Sequence, residues 1–238
     1  MEVNSQRTLI VIPAFNEQGK IGRVIEKIRR AIVSDVLVVD DGSVDNTRWE
    51  ASAAGAAIIE HRSNLGVGAA IRSGIDYALG HDYEVVAVLA GDDQHDPSDL
   101  PTLLRLIRED GFDLVQGSRR LGKLRAPSIG IFRRTATFVY AGLFRTLTGF
   151  PSTDATNGGR AFRTAIFRNS EINLWQSWLD GYELEPYLLY QTIRLGFRVT
   201  EAPMKVVYHD NGTTKMKPLR DWWHILRPLV LLTLRIRK

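Results

Sequence analysis

Short apolar runs alternate with longer segments of helical periodicity along the first half of the chain. The predicted strands cover residues 9–13, 36–40, 57–60, 85–90 and 113–117. Between them, apolar residues recur at helical spacing over 21–32, 46–54, 67–79 and 98–109. Buried strands separated by helices indicate a parallel sheet that is covered on both faces. The pattern therefore predicts an α/β fold with a mostly parallel central sheet and a Rossmann-like first half.

After residue 117 this alternation ends. A basic loop at 119–125 precedes a long amphipathic helix over 128–147, and a polar turn occupies 151–159. We then predict a helix over 182–195, a strand pair over 198–208 and an amphipathic helix over 218–238. Because no Gly/Ser-rich linker or repeat separates the halves, the sequence predicts one domain over 1–238, with halves at about 1–117 and 118–217 and a terminal helix.

Composition narrows the class of protein. The 238 residues are 44% apolar and 24% charged, which is ordinary for a globular protein with a substantial core. The absence of cysteine excludes disulfide scaffolds and thiolate metal sites. The first residues do not show the cationic start and apolar run of a signal segment. No run reaches the roughly 18 to 20 apolar residues of a membrane span. We therefore expect a cytoplasmic protein.

The positive charge is concentrated in two segments. Seven Arg or Lys and no acid lie within 119–145, and seven more lie within 215–238 against the single acid Asp221. Such segments attract nucleic acid, anionic lipid or phosphorylated ligands, although a solvated surface would look the same. The terminal segment also carries Trp222 and Trp223, which suits a membrane interface; a docking helix for a membrane partner or a second protomer is the alternative.

Two adjacent carboxylates, Asp92 and Asp93, follow the predicted strand 85–90 on a turn at Gly91. Ligands of open α/β sheets gather at the carboxyl ends of strands. Carboxylate oxygens at such a position can hold Mg²⁺ or Mn²⁺ against the phosphates of a nucleotide. A solvated turn that caps the following helix is the alternative interpretation.

Other strand ends carry related chemistry. The loop IPAFNEQ closes the first strand, and VVDDGS places two acids at the end of the second strand, where they can accept N–H or O–H donors of a nucleoside. Both loops would also serve as turns and helix caps without a ligand. The glycine-rich NLGVGAA follows the third strand rather than the first, so it does not match a dinucleotide fingerprint.

The order of the motifs is more specific than any one of them. IPAFNE, VVDDGS, NLGVGAA, the paired-acid turn ending in QHDP, GSR, TDATNGGRAF, GYELE and GTTKM follow one another over nearly the whole chain. In this order they resemble the family 2 glycosyltransferases of GT-A fold, and most closely the dolichyl-phosphate mannosyltransferases and other polyprenyl-phosphate glycosyltransferases.

The resemblance implies transfer of a sugar, with inversion, from a nucleotide-diphosphate sugar to a polyprenyl phosphate at the membrane surface, with Mg²⁺ or Mn²⁺ as cofactor. It implies three catalytic residues: Asp92, Arg119 and Arg133. The residues that it implies for the donor nucleotide are Pro13, Phe15, Glu17, Asp40, Asp41, Gly68 and Asp92. Those that it implies for the acceptor phosphate are Arg119, Arg133, Thr137, His209 and Lys215, and those for the metal are Asp92, Gln94 and Asp93.

The chain departs from the family pattern at two positions. Ala90 stands where the family carries the first acid of an acid-x-acid turn, so metal binding would rest on Asp92, with Asp93 or Gln94 compensating. His209 stands where related sequences carry an arginine near the acceptor phosphate, and a histidine is fully cationic only below its pKa of about 6.5.

Two alternative functions stay open. A phosphate monoester is already ionised near neutral pH and can attack directly, whereas a hydroxyl acceptor needs a carboxylate base, for which Glu183 and Glu185 are candidates. A glycosyltransferase acting on a glycan or small-molecule hydroxyl is therefore one alternative. The acid missing at Ala90 leaves another, a non-catalytic protein that binds a nucleotide or anionic lipid. No interaction with nucleic acid is expected.

Overall fold

A single seven-stranded sheet forms the centre of the fold. The computed structural model of the chain describes residues 7–121, 131–207 and 218–236, without the side chains of 131–133 and 218–221. In chain order the strands are β1 (Thr8–Ala14), β2 (Asp35–Asp40), β3 (Ala57–Glu60), β4 (Val85–Val88), β5 (Leu114–Ser118), β6 (Arg160–Arg163) and β7 (Val199–Pro203). Across the sheet the order is β3-β2-β1-β4-β6-β5-β7, and every neighbouring pair is parallel except the two that involve β6. The predicted α/β class with a mostly parallel sheet is confirmed.

Helices cover both faces of this sheet. They are α1 (Ile21–Ala31), α2 (Thr47–Ala53), α3 (Val67–Gly80), α4 (Leu100–Arg108), α5 (Ile131–Thr148), α6 (Leu184–Arg194) and α7 (Pro218–Thr233). One buried cluster joins α1 and α4 to the sheet, and the other joins α3, α5, α6 and α7 to the opposite face. The predicted helices of the first half therefore lie where their apolar periodicity placed them.

The two buried clusters divide the strand residues by parity, as a pleated sheet requires. In β1, Leu9 and Val11 belong to the cluster under α3, whereas Ile10 and Ile12 belong to the cluster under α1. All four side chains are almost completely buried. A strand covered on both faces has no polar face, which explains the uninterrupted apolar runs in the sequence.

For the second half, one prediction is wrong and one strand was missed. Within residues 198–207, the described part of the predicted strand pair, β7 is a single strand and Val206 makes only an isolated bridge with His95. The strand β6 was not predicted, yet it lies in the middle of the sheet and runs antiparallel to both β4 and β5. Its sequence RAFR begins and ends with arginine and therefore lacks the apolar run typical of a central strand.

Candidate active site

The carboxyl ends of β1 and β2 bring two predicted donor-site loops together. Asn16 adopts a left-handed conformation (φ 52°), its backbone N–H donates to the Ser43 hydroxyl over 2.9 Å, and its side-chain oxygen accepts from the Val44 N–H over 3.0 Å. The backbone N–H of Glu17 donates to the Thr47 hydroxyl over 2.7 Å. These cross-links fix Pro13, Phe15 and Glu17 beside the end of β2.

The two acids at the end of β2 have different surroundings. Both are buried, and Asp40 Oδ1 accepts from the backbone N–H of Ser43 over 3.0 Å. The Asp41 carboxylate accepts from the backbone N–H groups of Leu65 and Gly66 over 2.9 and 2.8 Å and lies 2.7 Å from His61 Nδ1. Asp41 therefore anchors the glycine-rich loop, and its predicted contact with the nucleoside would be made by a carboxylate that already has three partners.

Gly68, predicted to contact the donor, is a point of close packing between the two halves of the chain. A Cβ at this position would lie 2.1 Å from the backbone oxygen of Leu179. The neighbouring Ala69 N–H donates to the backbone oxygen of Asp180 over 3.0 Å. Packing against residues 179–181 thus accounts for the glycine, and its nucleotide contact stays a prediction.

The turn after β4 sets Asp93 apart from the other two predicted metal ligands, Asp92 and Gln94. Asp92 is partly exposed, its Oδ1 accepts only a local bond from the Gln94 N–H over 3.1 Å, and no cation among the described residues pairs with it. Asp93, in a left-handed conformation (φ 63°), is buried and bonded to Arg23 Nε over 3.2 Å and Lys27 Nζ over 2.6 Å. Because α1 holds its carboxylate, Asp93 is poorly placed to replace the acid missing at Ala90.

The two remaining candidate ligands fit a divalent metal only in part. Asp92 and Gln94 offer a carboxylate and an amide oxygen, which suit Mg²⁺ or Mn²⁺. Within the described ranges, no three His, Asp or Glu side chains come together as a metal site. Magnesium is commonly held by one or two carboxylates together with substrate phosphates, so the missing ligands would be diphosphate oxygens and water.

His95 links this turn to the second half of the chain. Its Nδ1 accepts from the Ala90 N–H over 3.3 Å, and its Nε2 lies 2.8 Å from Asn157 Oδ1. Desolvation lowers the pKa of His95 below its ordinary 6.5, although the negative charge of Asp92 opposes the shift. A neutral ring that donates from Nε2 and accepts at Nδ1 satisfies both contacts. His95 therefore positions the Asp92 turn against residues 157–159.

Arg119, predicted for the acceptor phosphate, forms a bidentate ion pair with Asp154. Its Nε and Nη2 lie 2.6 and 2.7 Å from the two carboxylate oxygens, and Nη2 also donates to the Thr156 hydroxyl over 2.8 Å. Burial alone would raise the pKa of Asp154, but the hydrogen bonds and charge of Arg119 outweigh it and hold this pKa below the ordinary 3.8. The pair joins the end of β5 to the 151–159 turn.

Asp154 should make folding stability depend on acid pH. Its stabilisation is complete above the unfolded pKa of about 3.9 and is lost as the pH falls through the lowered pKa of the folded state. We expect the free energy of unfolding to fall from pH 4 to pH 2 in the wild type, and less steeply in Asp154→Asn. Urea unfolding across this range measures both slopes; equal slopes would mean that Asp154 does not contribute.

The other predicted acceptor residues lie near α5 or outside the described residues. Thr137 is buried on α5, and its hydroxyl accepts from Arg120 Nη2 over 2.9 Å. The side chain of Arg133 lies outside the description, as do His209 and Lys215, so their roles stay predictions.

The two carboxylates proposed as alternative bases are both engaged by cations. Glu185 Oε1 lies 3.0 Å from Nη2 of Arg160, which is completely buried on β6. Glu183 is buried and pairs with His224 Nδ1 and, over 3.5 Å, with Arg227 Nη1 of α7. These carboxylates hold β6 and α7 against the N-terminal end of α6.

Sequence reasoning missed several residues of this region: His61, His95, Arg120, Asp154, Asn157 and Arg160. Most of them lie inside or beside motifs that the sequence does show, such as QHDP and TDATNGGRAF. The motif order was therefore a usable signal for their location, whereas several of the partners that their side chains pair with lie 17 to 62 residues away in the chain.

Comparison with known proteins places the chain among glycosyl-transfer enzymes. The family model "Glycosyl transferase family 2" matches residues 9–170. An undecaprenyl-phosphate mannosyltransferase of Micrococcus luteus is 32% identical over 88% of this chain and 87% of its own. A polyprenol monophosphomannose synthase of Mycolicibacterium smegmatis is 31% identical over 89% of this chain and 82% of its own.

A solved structure shows the same fold. Glucosyl-3-phosphoglycerate synthase from Mycobacterium tuberculosis, in complex with Mg²⁺ and uridine diphosphate, matches with a TM-score of 0.71 and 21% identity. The match covers 98% of this chain and 81% of that one. At this identity the likeness bears on the fold alone.

Proposed function

The chain belongs to the family 2 glycosyltransferases, and from this membership we propose that it transfers a sugar from a nucleotide-diphosphate sugar to a polyprenyl phosphate, inverting the anomeric carbon. Its fold is the GT-A-type fold expected from the motif order. The observation that carries the acceptor proposal is the similarity, over most of the chain, to two enzymes whose names specify undecaprenyl phosphate or polyprenol.

The placement of the acids supports an acceptor that is already ionised. Glu183 and Glu185, the candidates for a base, each pair with an arginine of another element, Arg227 of α7 and Arg160 of β6. A carboxylate held in this way is poorly suited to taking a proton from a hydroxyl acceptor. A phosphate needs no such base, and the site has only to align it and to balance the charge of the diphosphate.

The proposed reaction is a single displacement. An oxygen of the acceptor phosphate forms the new bond to the anomeric carbon, on the face opposite the diphosphate. The bond between that carbon and the diphosphate oxygen breaks, and the nucleoside diphosphate leaves with the electron pair. Asp92 and Gln94 would hold Mg²⁺ or Mn²⁺, whose chemistry is to neutralise the diphosphate. The loops at the ends of β1 and β2 would orient the nucleoside.

A product assay tests this function. The full-length protein is incubated with Mg²⁺ or Mn²⁺, a panel of uridine and guanosine diphosphate sugars, and a short polyprenyl phosphate. Mass spectrometry of the lipid fraction should reveal one glycosyl phosphate product, and NMR should reveal an inverted anomeric centre. Transfer to a sugar or glycerol hydroxyl with no lipid product would contradict the acceptor proposal, while donor binding without turnover would contradict the enzyme proposal.

We also propose that the protein meets its acceptor at the membrane surface through α5 and α7. None of the helices in the described ranges combines the length and apolar character needed to cross a bilayer. The adjacent helices α5 and α7 nevertheless expose large apolar side chains: Phe138, Val139 and Leu143 on α5 and Trp223 on α7. Leu234 and Ile236, directly after α7, are exposed as well. Exposed aromatic and aliphatic groups beside cations suit the lipid interface.

Substitution of the exposed apolar groups should weaken binding to vesicles. The double variant Trp223→Ser, Leu234→Ser removes exposed apolar groups and leaves Leu229 and Leu232, which are buried residues of α7, unchanged. We expect the fraction of the double variant that floats with anionic vesicles to fall several-fold below that of the wild type. Added salt should weaken the binding of the wild type as well, because it screens the attraction between the cations and the lipid. Trp49→Ser on α2, which is 72% exposed, is the matched control. An equal loss of vesicle binding in the double variant and in Trp49→Ser, or no loss in the double variant, would place the membrane contact elsewhere.

A further inference from the structure

We propose that Asn157 is a positioning residue for the 90–95 turn and acts by holding the ring of His95. This turn carries Asp92 and Gln94, the metal ligands of the proposed function, on which this inference rests. Asn157 is buried in the 151–159 turn, 62 residues from His95 in the chain. Through this contact, the second half of the chain sets the geometry of a turn in the first half.

Two backbone N–H groups fix how the imidazole and the amide face each other. The Ala90 N–H donates to His95 Nδ1 over 3.3 Å, so Nδ1 accepts and the neutral ring carries its proton on Nε2. The Gly159 N–H donates over 3.3 Å to the Asn157 atom that lies 2.8 Å from Nε2, so this atom must be the amide oxygen. The two assignments agree, because Nε2–H can then donate to Asn157 Oδ1.

Buried side chains of two strands hold the backbone of Asn157. Its carbonyl oxygen accepts from Gln116 Nε2 of β5 over 2.6 Å and from Arg160 Nη2 of β6 over 2.8 Å. All three residues are at most 2% exposed. The Nδ2 group of Asn157, by contrast, is buried and has no acceptor among the described residues. Because an unpaired buried donor costs stability, we attribute the role of this amide to its oxygen.

The bond between Ala90 and His95 closes the turn that carries the proposed metal ligands. It joins the first residue of the turn to the last, and inside the turn the Gln94 N–H donates to Asp92 Oδ1 over 3.1 Å. A ring that rotated away from Asn157 would lose the alignment of Nδ1 with the Ala90 N–H. Since the turn has only two candidate ligands, their placement depends on such outer contacts.

Hydrogen exchange measured by NMR on the ¹⁵N-labelled full-length protein tests the contact without any metal. Asn157→Leu removes the acceptor of His95 Nε2–H, and we expect the amide proton of Ala90 to exchange several-fold faster than in the wild type. Asn157→Asp keeps an acceptor oxygen and should restore slow exchange. Unchanged exchange at Ala90 in Asn157→Leu would overturn the inference.

Titration with Mn²⁺ alone tests the consequence for the metal. Paramagnetic broadening of the resonances of residues 90–95 gives the Kd, which we expect to rise about tenfold in Asn157→Leu. His95→Gln keeps an N–H for Asn157 but no acceptor for Ala90, and it should weaken Mn²⁺ binding to a similar extent. An unchanged Kd in both variants would overturn the inference alone. Absence of broadening in the wild type would refute the metal assignment of the proposed function, and this inference with it.

Ser152→Ala is the matched control. Ser152 is also buried in the 151–159 turn, but its hydroxyl donates to Glu201 Oε1 over 2.7 Å. We expect this variant to lower the melting temperature while the exchange of the Ala90 amide and the Kd of Mn²⁺ stay at wild-type values. Equal changes in Ser152→Ala and Asn157→Leu would indicate a general loosening of the 151–159 turn and would also overturn the assignment.

Discussion

Replacing Asp92 with asparagine is expected to reduce sugar transfer more than about a hundredfold while the fold stays intact. The amide has the size of the carboxylate but lacks the charge that holds a divalent cation on a diphosphate, and a loss of ~3 kcal/mol corresponds to that factor. The effect should be large because Ala90 provides no second acid in this turn and Asp93 is bound by α1. Initial rates at saturating Mg²⁺ or Mn²⁺, with circular dichroism of both proteins, measure it.

Asp93→Asn is the informative comparison for Asp92. Its carboxylate is buried against Arg23 and Lys27, so we expect this variant to lower the melting temperature and to keep its response to metal concentration. Turnover within about threefold of wild type in Asp92→Asn would remove Asp92 from the metal site. A loss of metal response only in Asp93→Asn would give the metal to Asp93 instead.

Replacing Arg160 with methionine is expected to be the most destabilising single change considered. Arg160 is completely buried, pairs with Glu185 and donates to the backbone oxygens of Asn157 and Glu185 over 2.8 and 3.0 Å. Removing one partner of a buried ion pair costs roughly 3 to 5 kcal/mol, because the other is left without compensation. For a chain of this length the melting temperature should fall by roughly 6 to 20 °C. Differential scanning calorimetry measures the shift.

Arg163→Met, on the same strand, is the variant with which the loss of stability in Arg160→Met is compared. Arg163 is partly exposed and donates only to backbone oxygens at the end of α4 and beyond, those of Ile107 and Phe112. We expect it to cost about 1 kcal/mol. Should the two variants melt at the same temperature, the buried pair of Arg160 and Glu185 would not be a major source of stability.

The sequence predicts β1 to β5 well because each is a run of mostly apolar residues between helical segments. The same rule misses β6, whose first residue is a buried arginine satisfied by Glu185, 25 residues further along the chain. A local pattern cannot reveal that a charged side chain will find its partner on a later helix. The missed strand is thus explained by a tertiary contact that overrides the hydrophobic pattern.

The candidate site was predictable in location but not in its pairings. The motif order identified the strand ends, and the structure brings the loops after β1 and β2 together there. The motif order did not reveal that the adjacent Asp92 and Asp93 have different surroundings. That difference depends on the left-handed backbone of Asp93 and on two cations of α1. Nor could it reveal that Arg119 is matched by Asp154, 35 residues away.

The position of β6 bears on how this enzyme can be recombined with its relatives. β6 comes from the second half of the chain, yet it is hydrogen-bonded between β4 and β5, which both belong to the first. A fragment ending at residue 117 would lose the strand that connects those two and would expose the edge of β4. Exchanging residues 118–217 between family members therefore means exchanging a central strand of the sheet. Chimeras in which β6 stays with its own β4 and β5 should fold more often than those joined at residue 117.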